Sequence, residues 1–230
     1  MTATPVPPAF PAPMPEAGIA AVDAYLRDGY DSVPGMSSRF AAAICAGLLR
    51  IQADMGIAGP IAEIGTFEGR FFIALAHALE PGEVALGIDV FNWPDDKVLD
   101  RFEANCDRHG IAADRRVAWK ADSRTLPPAD LIAKLGGRRP RFFHIDGEHS
   151  RDALTRDLEL ATAVIADDGV IVLDDMLHPG YPTLMVAVQE YLGRHPDMCV
   201  LAVIDRETIV AATKFMLCRT ARFKDYEARL

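Results

Sequence analysis

Residues 61–69 read IAEIGTFEG, a short apolar strand followed by a loop with glycines at positions 65 and 69. A helical pattern begins directly afterwards, at Arg70. Glycine accepts positive φ angles and, having no Cβ, lets a ligand approach the backbone closely. A strand, a glycine loop and a helix in this order predict a binding site for a nucleotide-like ligand at the helix N-terminus.

Apolar strands and amphipathic helices alternate along the rest of the chain, which predicts a doubly wound, mostly parallel α/β sheet with a C-terminal antiparallel hairpin. Residues 205–207 are short enough to form the turn of that hairpin. The seven predicted strands are 61–64, 83–89, 116–121, 141–146, 170–174, 199–204 and 208–217. The predicted helices are 17–27, a helix capped by Ser37 or Ser38 that runs to residue 51, 70–79, 95–109, 128–135, 151–165 and 182–194.

Three segments are predicted along the chain. Residues 1–16 contain many prolines, which favours an extended or disordered arm, or one that packs on a neighbouring subunit. Residues 17–58 form helices that cover the cofactor site, and the loop 33–38 either lies over the ligand or is a plain connection. Residues 59–230 form the core.

Composition narrows the class of protein. A chain of 230 residues, 50% of them hydrophobic, fits one sizeable globular domain. The net charge of -9 disfavours nucleic acids and anionic membranes as partners, RNA methylation included. Neither a membrane-spanning run nor a secretion signal is evident, which predicts a cytoplasmic protein. Four scattered cysteines, at positions 45, 106, 199 and 218, indicate reduced thiols rather than zinc ligands or disulfides.

Acidic residues stand at the end of each of the first five predicted strands. In an open parallel sheet, the ligand binds beyond these carboxyl ends. Any one carboxylate could be a helix N-cap, but five such ends are explained more economically by a shared site. These residues are Glu63, Asp89, Asp122, Asp146 and the pair Asp174–Asp175.

The glycine loop favours a ligand without phosphate. It lacks both the Gly-x-Gly-x-x-Gly pattern of dinucleotide folds and the Gly-Lys-Ser/Thr of a P-loop. Glu63 and Glu68 place negative charge at the helix N-terminus, where a pyrophosphate would be repelled. S-adenosylmethionine, which carries a sulfonium and an ammonium group, fits this pattern better than NAD or ATP.

Five segments in order, IAEIGTFEG, GIDVF, KADS, FHIDGEHS and VIVLDD, resemble the class I S-adenosylmethionine-dependent methyltransferases. The resemblance implies a Rossmann-like fold and a cofactor site. Glu63, Gly65 and Gly69 would bind the amino-acid end of the cofactor, and Thr66 and Phe67 would offer backbone contacts. Asp89 would bind the ribose hydroxyls, and Asp122 and Ser123 would lie at the adenine edge.

The end of the site where chemistry is expected contains three carboxylates. Asp146, Asp174 and Asp175 would crowd one crevice, because adjacent parallel strands lie about 5 Å apart. Raised pKa values or a bound cation, most simply Mg²⁺, would relieve their repulsion. His149 follows Asp146 by three residues and can act as a general base, although a lone histidine in a loop is often only a surface residue.

The Ile-Asp-Gly-x-His segment and the Asp-Asp pair are similar to the divalent-metal-dependent small-molecule O-methyltransferases. His149 stands where a lysine is usual in the catechol-type members, and Asp-Asp where Asp-Asn is usual, which argues against a catechol substrate. The roles of Glu148, His178 and Tyr181 stay open.

The sequence therefore predicts a magnesium-assisted O-methyltransferase that acts on a small hydroxylated molecule, and its proline-rich arm and first helices are candidates for a homodimer contact. Two alternatives keep the fold: a metal-dependent hydroxylase-like enzyme and a non-catalytic cofactor-binding or assembly protein. The methyl acceptor itself cannot be read from the chain.

Overall fold

A computed structural model describes residues 14–206 and 212–230. The first 13 residues of the predicted arm, Glu207 of the predicted turn and the start of the predicted strand 208–217 lie outside these ranges. The three predicted segments therefore stay predictions.

Seven strands form one sheet, as the sequence predicts. They are β1 (Ile61–Ile64), β2 (Ala85–Asp89), β3 (Arg116–Lys120), β4 (Phe142–Ile145), β5 (Val170–Met176), β6 (Met198–Ile204) and β7 (Thr213–Arg219). Their order is β3-β2-β1-β4-β5-β7-β6. The first five strands are parallel, whereas β7 runs antiparallel to β5 and β6 antiparallel to β7. This confirms the doubly wound, mostly parallel fold with an antiparallel C-terminal pair.

Helices cover both faces of the sheet. They are α1 (Ala20–Asp28), α2 (Arg39–Asp54), α3 (Arg70–Ala76), α4 (Val98–Arg108), α5 (Pro128–Lys134), α6 (Arg151–Val164), α7 (Thr183–Arg194) and α8 (Phe223–Glu227). The Ser38 hydroxyl accepts from the Ala41 amide at 3.1 Å and caps α2, which decides between the two predicted caps. The short helix α8 was not predicted. Within the described ranges, no helix is long and apolar enough to cross a bilayer.

The core consists of two apolar layers, one on each face of the sheet. Helices α1 to α4 and α8 pack on one face, and α5, α6 and α7 pack on the other. The central strands β1 and β4 are buried on both faces, as is typical of a parallel sheet covered by helices. Polar side chains are thereby confined to the two ends of the strands or must find partners inside.

A buried ion pair holds the amino end of the sheet. Arg141 is fully buried, and its guanidinium donates to both carboxylate oxygens of Glu83, at 2.9 and 2.7 Å. The guanidinium also donates to Gln52 on α2 at 3.0 Å, and Glu83 accepts from the Gly59 amide at 2.7 Å. Both residues precede the strands that were predicted to begin with them, because β2 begins at Ala85 and β4 at Phe142. The pair joins the entries to these strands with α2.

Replacing Arg141 by methionine should destabilise the fold by about 3–5 kcal/mol, because Glu83 would be left as an uncompensated buried charge. Urea denaturation followed by circular dichroism measures this change. Arg138→Met is the matched control, since Arg138 is exposed and makes only a 2.9 Å hydrogen bond to the Gly82 carbonyl. Equal losses of stability in the two variants would contradict a structural role for the buried pair.

Candidate functional site

A cavity of about 710 Å³ opens at the carboxyl ends of the parallel strands. This volume is within the range of small-molecule and cofactor sites. Residues 34–37 of the loop before α2 also line it, so this loop lies against the site. Nine residues predicted from the sequence line the cavity: Glu63, Gly65, Thr66, Phe67, Asp89, Asp122, Ser123, Asp146 and His149. Gly69, Asp174 and Asp175 lie outside its lining.

Gly65 allows the loops after β1 and β4 to come together. Its φ angle is +84°, and a Cβ atom built there would lie 1.8 Å from the carbonyl oxygen of Asp146. Its amide donates to the Ile88 carbonyl at 2.8 Å, which also ties the loop to β2. Gly69, with a φ angle of +92°, is the N-cap of α3. Residue 65 must therefore be glycine for both conformational and steric reasons.

Asp89 organises the loops beside the predicted ribose position. Its two carboxylate oxygens accept hydrogen bonds from the amides of Phe67 at 2.9 Å and Phe91 at 2.7 Å. Both phenylalanines have positive φ angles, 48° and 45°, which is uncommon for bulky residues. Because each carboxylate oxygen has two lone pairs, Asp89 keeps acceptor capacity toward the cavity.

The two glutamates of the glycine loop have different environments. Glu68 is buried and pairs with Arg101 at 2.5 Å, so its negative charge is neutralised within the protein. Glu63 is also buried, and burial together with the nearby Asp146 raises its pKa well above the usual value. One oxygen, Oε1, lies 2.7 Å from His144 Nδ1, whereas Oε2 has no partner among the described side chains. Of these two glutamates, Glu63 lines the cavity and has a buried oxygen that could accept from a ligand.

Lys214 on β7 supplies a cation that the sequence argument missed. Its ammonium makes an ion pair with Asp174 and lies 3.1 Å from His144 Nε2. The Ser37 hydroxyl lies 3.5 Å from Asp146 Oδ2 and 3.4 Å from Asp174 Oδ2. Although burial opposes ionisation of Asp174, Lys214 and His144 lower its pKa. The available signal was that Ala212 and Met216, which share a face of the predicted strand with Lys214, are apolar, so the lysine stands on a buried face.

His149 separates the other two carboxylates. Its Nε2 atom lies 2.6 Å from Asp175 Oδ2 and 3.7 Å from Asp146 Oδ1, yet it makes no well-directed hydrogen bond to a described residue. Its contacts with Asp146 and then Asp175 raise the pKa of His149 to about 10. Burial and the charge of Asp174 raise the pKa of Asp146 to about 7. The ligand atoms of these three side chains therefore face one another around a shared point.

Two groups of possible metal ligands result from this arrangement. One comprises Asp146, His149 and Asp175, and the other comprises His144, Asp146 and Asp174. Asp174 and Asp175 do not share a group, since Asp175 has a φ angle of 57° and its carboxylate contacts His149. Two carboxylates and an imidazole form a donor set that fits a hard or borderline divalent cation. In the second group, His144 and Asp174 already contact the Lys214 ammonium.

An arginine occupies the predicted adenine edge. Both oxygens of Asp122 accept from the Arg124 guanidinium, at 2.8 and 2.6 Å, and Glu148 accepts from the same guanidinium at 2.6 Å. Glu148 is thus an ion-pair partner rather than a free ligand. Beneath this pair, Asp157 on α6 is 1% exposed, lines the cavity and has an unpartnered Oδ1 atom among the described residues. Helical spacing was the signal that sequence reasoning missed, because Asp157 stands three residues from Leu154 and four from Ala161 on the buried face of α6.

Tyr181 and His178 stack beside the base candidate. The Tyr181 ring lies 4.3 Å from His149 and 4.7 Å from His178, measured between ring centroids. Tyr181 lines the cavity, whereas His178 is outside its lining. Tyr181 therefore packs against the His149 ring at the cavity wall.

The fold and the glycine loop define a Rossmann-like methyltransferase domain. Residues 62–176, half of the chain, match a family model described as a methyltransferase domain, and the chain belongs to this family. No match was found among curated proteins.

Solved structures agree with this assignment at the level of the fold. An O-methyltransferase from Bacillus cereus in complex with S-adenosylhomocysteine is 18% identical with a TM-score of 0.62, covering 87% of this chain and 90% of its own. TomG from Streptomyces achromogenes, in complex with S-adenosylmethionine, is 21% identical with a TM-score of 0.59 and the same coverages. The O-methyltransferase NovP is 12% identical with a TM-score of 0.63, covering 81% and 83%.

Asp157 should make stability depend on pH. Burial raises its pKa to about 6, an effect that Ser123 and Arg124 partly offset and Asp122 and Glu148 reinforce. The folded state therefore binds the proton more tightly than the unfolded state, and this stabilisation is lost as pH rises from about 4 through 6. Asp157→Asn should gain about 2–3 kcal/mol relative to the unmodified protein between pH 4 and pH 7.

Urea denaturation at the two pH values checks this prediction. Asp152→Asn, at an exposed position on the same helix, is the control for replacing an aspartate by asparagine in α6. A constant difference between Asp157→Asn and the unmodified protein at both pH values would show that Asp157 does not titrate in this range.

Proposed function

We propose that this protein transfers the methyl group of S-adenosylmethionine to a hydroxyl oxygen of a small molecule. The observation that carries the proposal is that Glu63, with its unpaired oxygen, lines the same cavity as Asp146 and His149, and that these two form a cluster with Asp175 behind the lining. The first suits a cationic donor, and the second suits the activation of a hydroxyl group.

The donor would be held by the loops after β1 and β2. Glu63 Oε2 would accept from the ammonium group, and the remaining lone pairs of Asp89 would accept from the ribose hydroxyls. Because Gly65 has no side chain, the backbone is accessible to the donor where the two loops meet. Ser123 and Asp157 border the part of the cavity where the adenine would lie, whereas Asp122 is engaged by Arg124.

A divalent cation, Mg²⁺ in the simplest case, would be held by Asp146 and Asp175. When bound, such an ion would lower the pKa of the acceptor hydroxyl and stabilise the oxygen anion. Asp174, which the sequence places in the metal set, is proposed to act differently, as the partner of Lys214. The proposed set is therefore smaller than the predicted one.

His149 is proposed to accept the hydroxyl proton. It lies between the two carboxylates, and a cation on Asp146 and Asp175 would compete with its imidazolium form and leave a neutral ring. The acceptor oxygen then attacks the methyl carbon as the carbon–sulfur bond breaks, and the bonding electrons stay on sulfur to give the thioether. The contribution of the site is the alignment of oxygen, methyl group and base.

The alternatives predict different metal chemistry and partners. Iron oxygenases favour two histidines and one carboxylate, whereas the group around His149 has two carboxylates and one histidine.

A small-molecule acceptor, a cytoplasmic location and a homodimer stay part of the proposal. A non-catalytic role would be supported by cofactor binding without transfer of labelled methyl to any member of a panel of sugars and phenols.

Gly65→Ala should abolish binding of S-adenosylhomocysteine, because the new Cβ would collide with the Asp146 carbonyl beneath the proposed donor site. Isothermal titration calorimetry measures the affinity. Gly82→Ala is the matched control: its φ angle is +80°, but a Cβ atom there meets nothing within 4 Å. The control should lose about 1 kcal/mol of stability and keep its affinity. Tight binding of NAD instead of S-adenosylhomocysteine would overturn the proposed function.

Asp146→Asn and Asp175→Asn should each weaken Mn²⁺ binding by about tenfold or more, because each removes a charged oxygen ligand. Electron paramagnetic resonance of free Mn²⁺ gives the affinity without an acceptor molecule. Both variants should still bind S-adenosylhomocysteine, and Asp152→Asn on the exposed face of α6 should match the unmodified protein. Unchanged Mn²⁺ affinity in both variants would remove the cation from the proposal.

A further inference from the structure

Four ionisable side chains form a continuous chain through the interior of the sheet. Glu63, His144 and Lys214 are at most 2% exposed, and the Asp174 side chain is 8% exposed. Glu63 and His144 stand opposite each other in the register of β1 and β4. The contacts run from Glu63 Oε1 to His144 Nδ1 at 2.7 Å, from His144 Nε2 to Lys214 Nζ at 3.1 Å, and from Lys214 to Asp174.

Each link of this chain has a fixed direction. A lysine ammonium can only donate, so Nε2 of His144 must accept from Lys214 and carries no proton. The imidazole proton is then on Nδ1, which donates to Oε1 of Glu63. Oε1 is thereby occupied, and Oε2, which is buried and unpartnered among the described residues, is the oxygen left for a ligand.

Packing leaves the two middle residues little freedom. The His144 ring stacks on Phe71 with centroids 4.3 Å apart, and the Lys214 ammonium lies 4.6 Å from the centroid of the same ring. Buried charges of this kind are costly and contribute little to stability compared with apolar side chains of the same size. With His144 neutral and Lys214 paired with Asp174, neither residue supplies Glu63 with a cationic partner, and burial raises the Glu63 pKa. A cationic ligand group at Oε2 would supply that partner.

We propose that His144 and Lys214 are positioning residues that hold Glu63 Oε2 toward the cavity to receive the ammonium group of the methyl donor. The inference rests on the proposed function for its ligand. It extends that function, because it places two residues that touch neither the donor nor the acceptor in control of donor affinity. It also links the donor end of the site, at Glu63, to Asp174 beside the proposed cation.

Comparing the affinities of two ligands distinguishes this positioning role from a general structural role. S-adenosylhomocysteine has the amino-acid ammonium group, whereas 5′-methylthioadenosine has the same nucleoside without it. His144→Leu removes the contacts with both Glu63 and Lys214 while keeping a side chain of similar size. His144→Gln keeps one hydrogen-bond donor and one acceptor. Lys214→Met removes the ammonium alone. Isothermal titration calorimetry gives both dissociation constants for each variant, after circular dichroism has shown that it is folded.

His144→Leu and Lys214→Met should each weaken S-adenosylhomocysteine binding about tenfold or more, which is the loss expected for one charge-assisted hydrogen bond. Their affinity for 5′-methylthioadenosine should change by less than about threefold, and His144→Gln should restore most of the lost affinity. Should His144→Leu not fold, Lys214→Met decides in the same way. Equal weakening for both ligands, or an unchanged ratio, overturns the proposal, whereas an unmodified protein that binds neither ligand overturns the proposed function instead.

Discussion

The ion pair between Lys214 and Asp174 is the interaction on which the arrangement of the site depends. Three carboxylates meet where β4 and β5 end, and without compensation they would repel one another. Lys214 pairs with Asp174 and also contacts His144, whereas His149 lies between Asp146 and Asp175. The acidic crevice is therefore divided into two parts, of which one extends into the interior and the other faces the cavity.

The two ends of the sheet have different tasks. At the amino end, Arg141 and Glu83 pair with each other, and Gln52 joins the strand entries to α2. At the carboxyl end, polar atoms are left without partners among the described residues, and non-glycine residues adopt positive φ angles. Backbone strain of this kind persists only where surrounding contacts hold it, and it concentrates at functional sites. The hydrogen bonds from Phe67 and Phe91 to Asp89 are such contacts.

The residues of the proposed site lie together at the carboxyl end of the sheet. Because the parallel strands all end at one edge, the four segments that follow β1 to β4 reach the same cavity. The glycine at position 65 lets the two central loops touch, and the loop before α2 covers them from the other side. A donor and an acceptor bound there would be held by different loops and still lie side by side.

The sequence by itself determined the fold class, the strands, most helix bounds and the acidic strand ends, because periodicity, caps and glycines act over a few neighbouring residues. Only the tertiary structure decided which charges are paired. Arg101 neutralises Glu68, Arg124 reaches Glu148, and Lys214 reaches Asp174. These partners are far apart in the chain, and an ion pair or hydrogen bond forms only within a few ångströms. Strand order and register therefore select the partners, and no local pattern of residues encodes them.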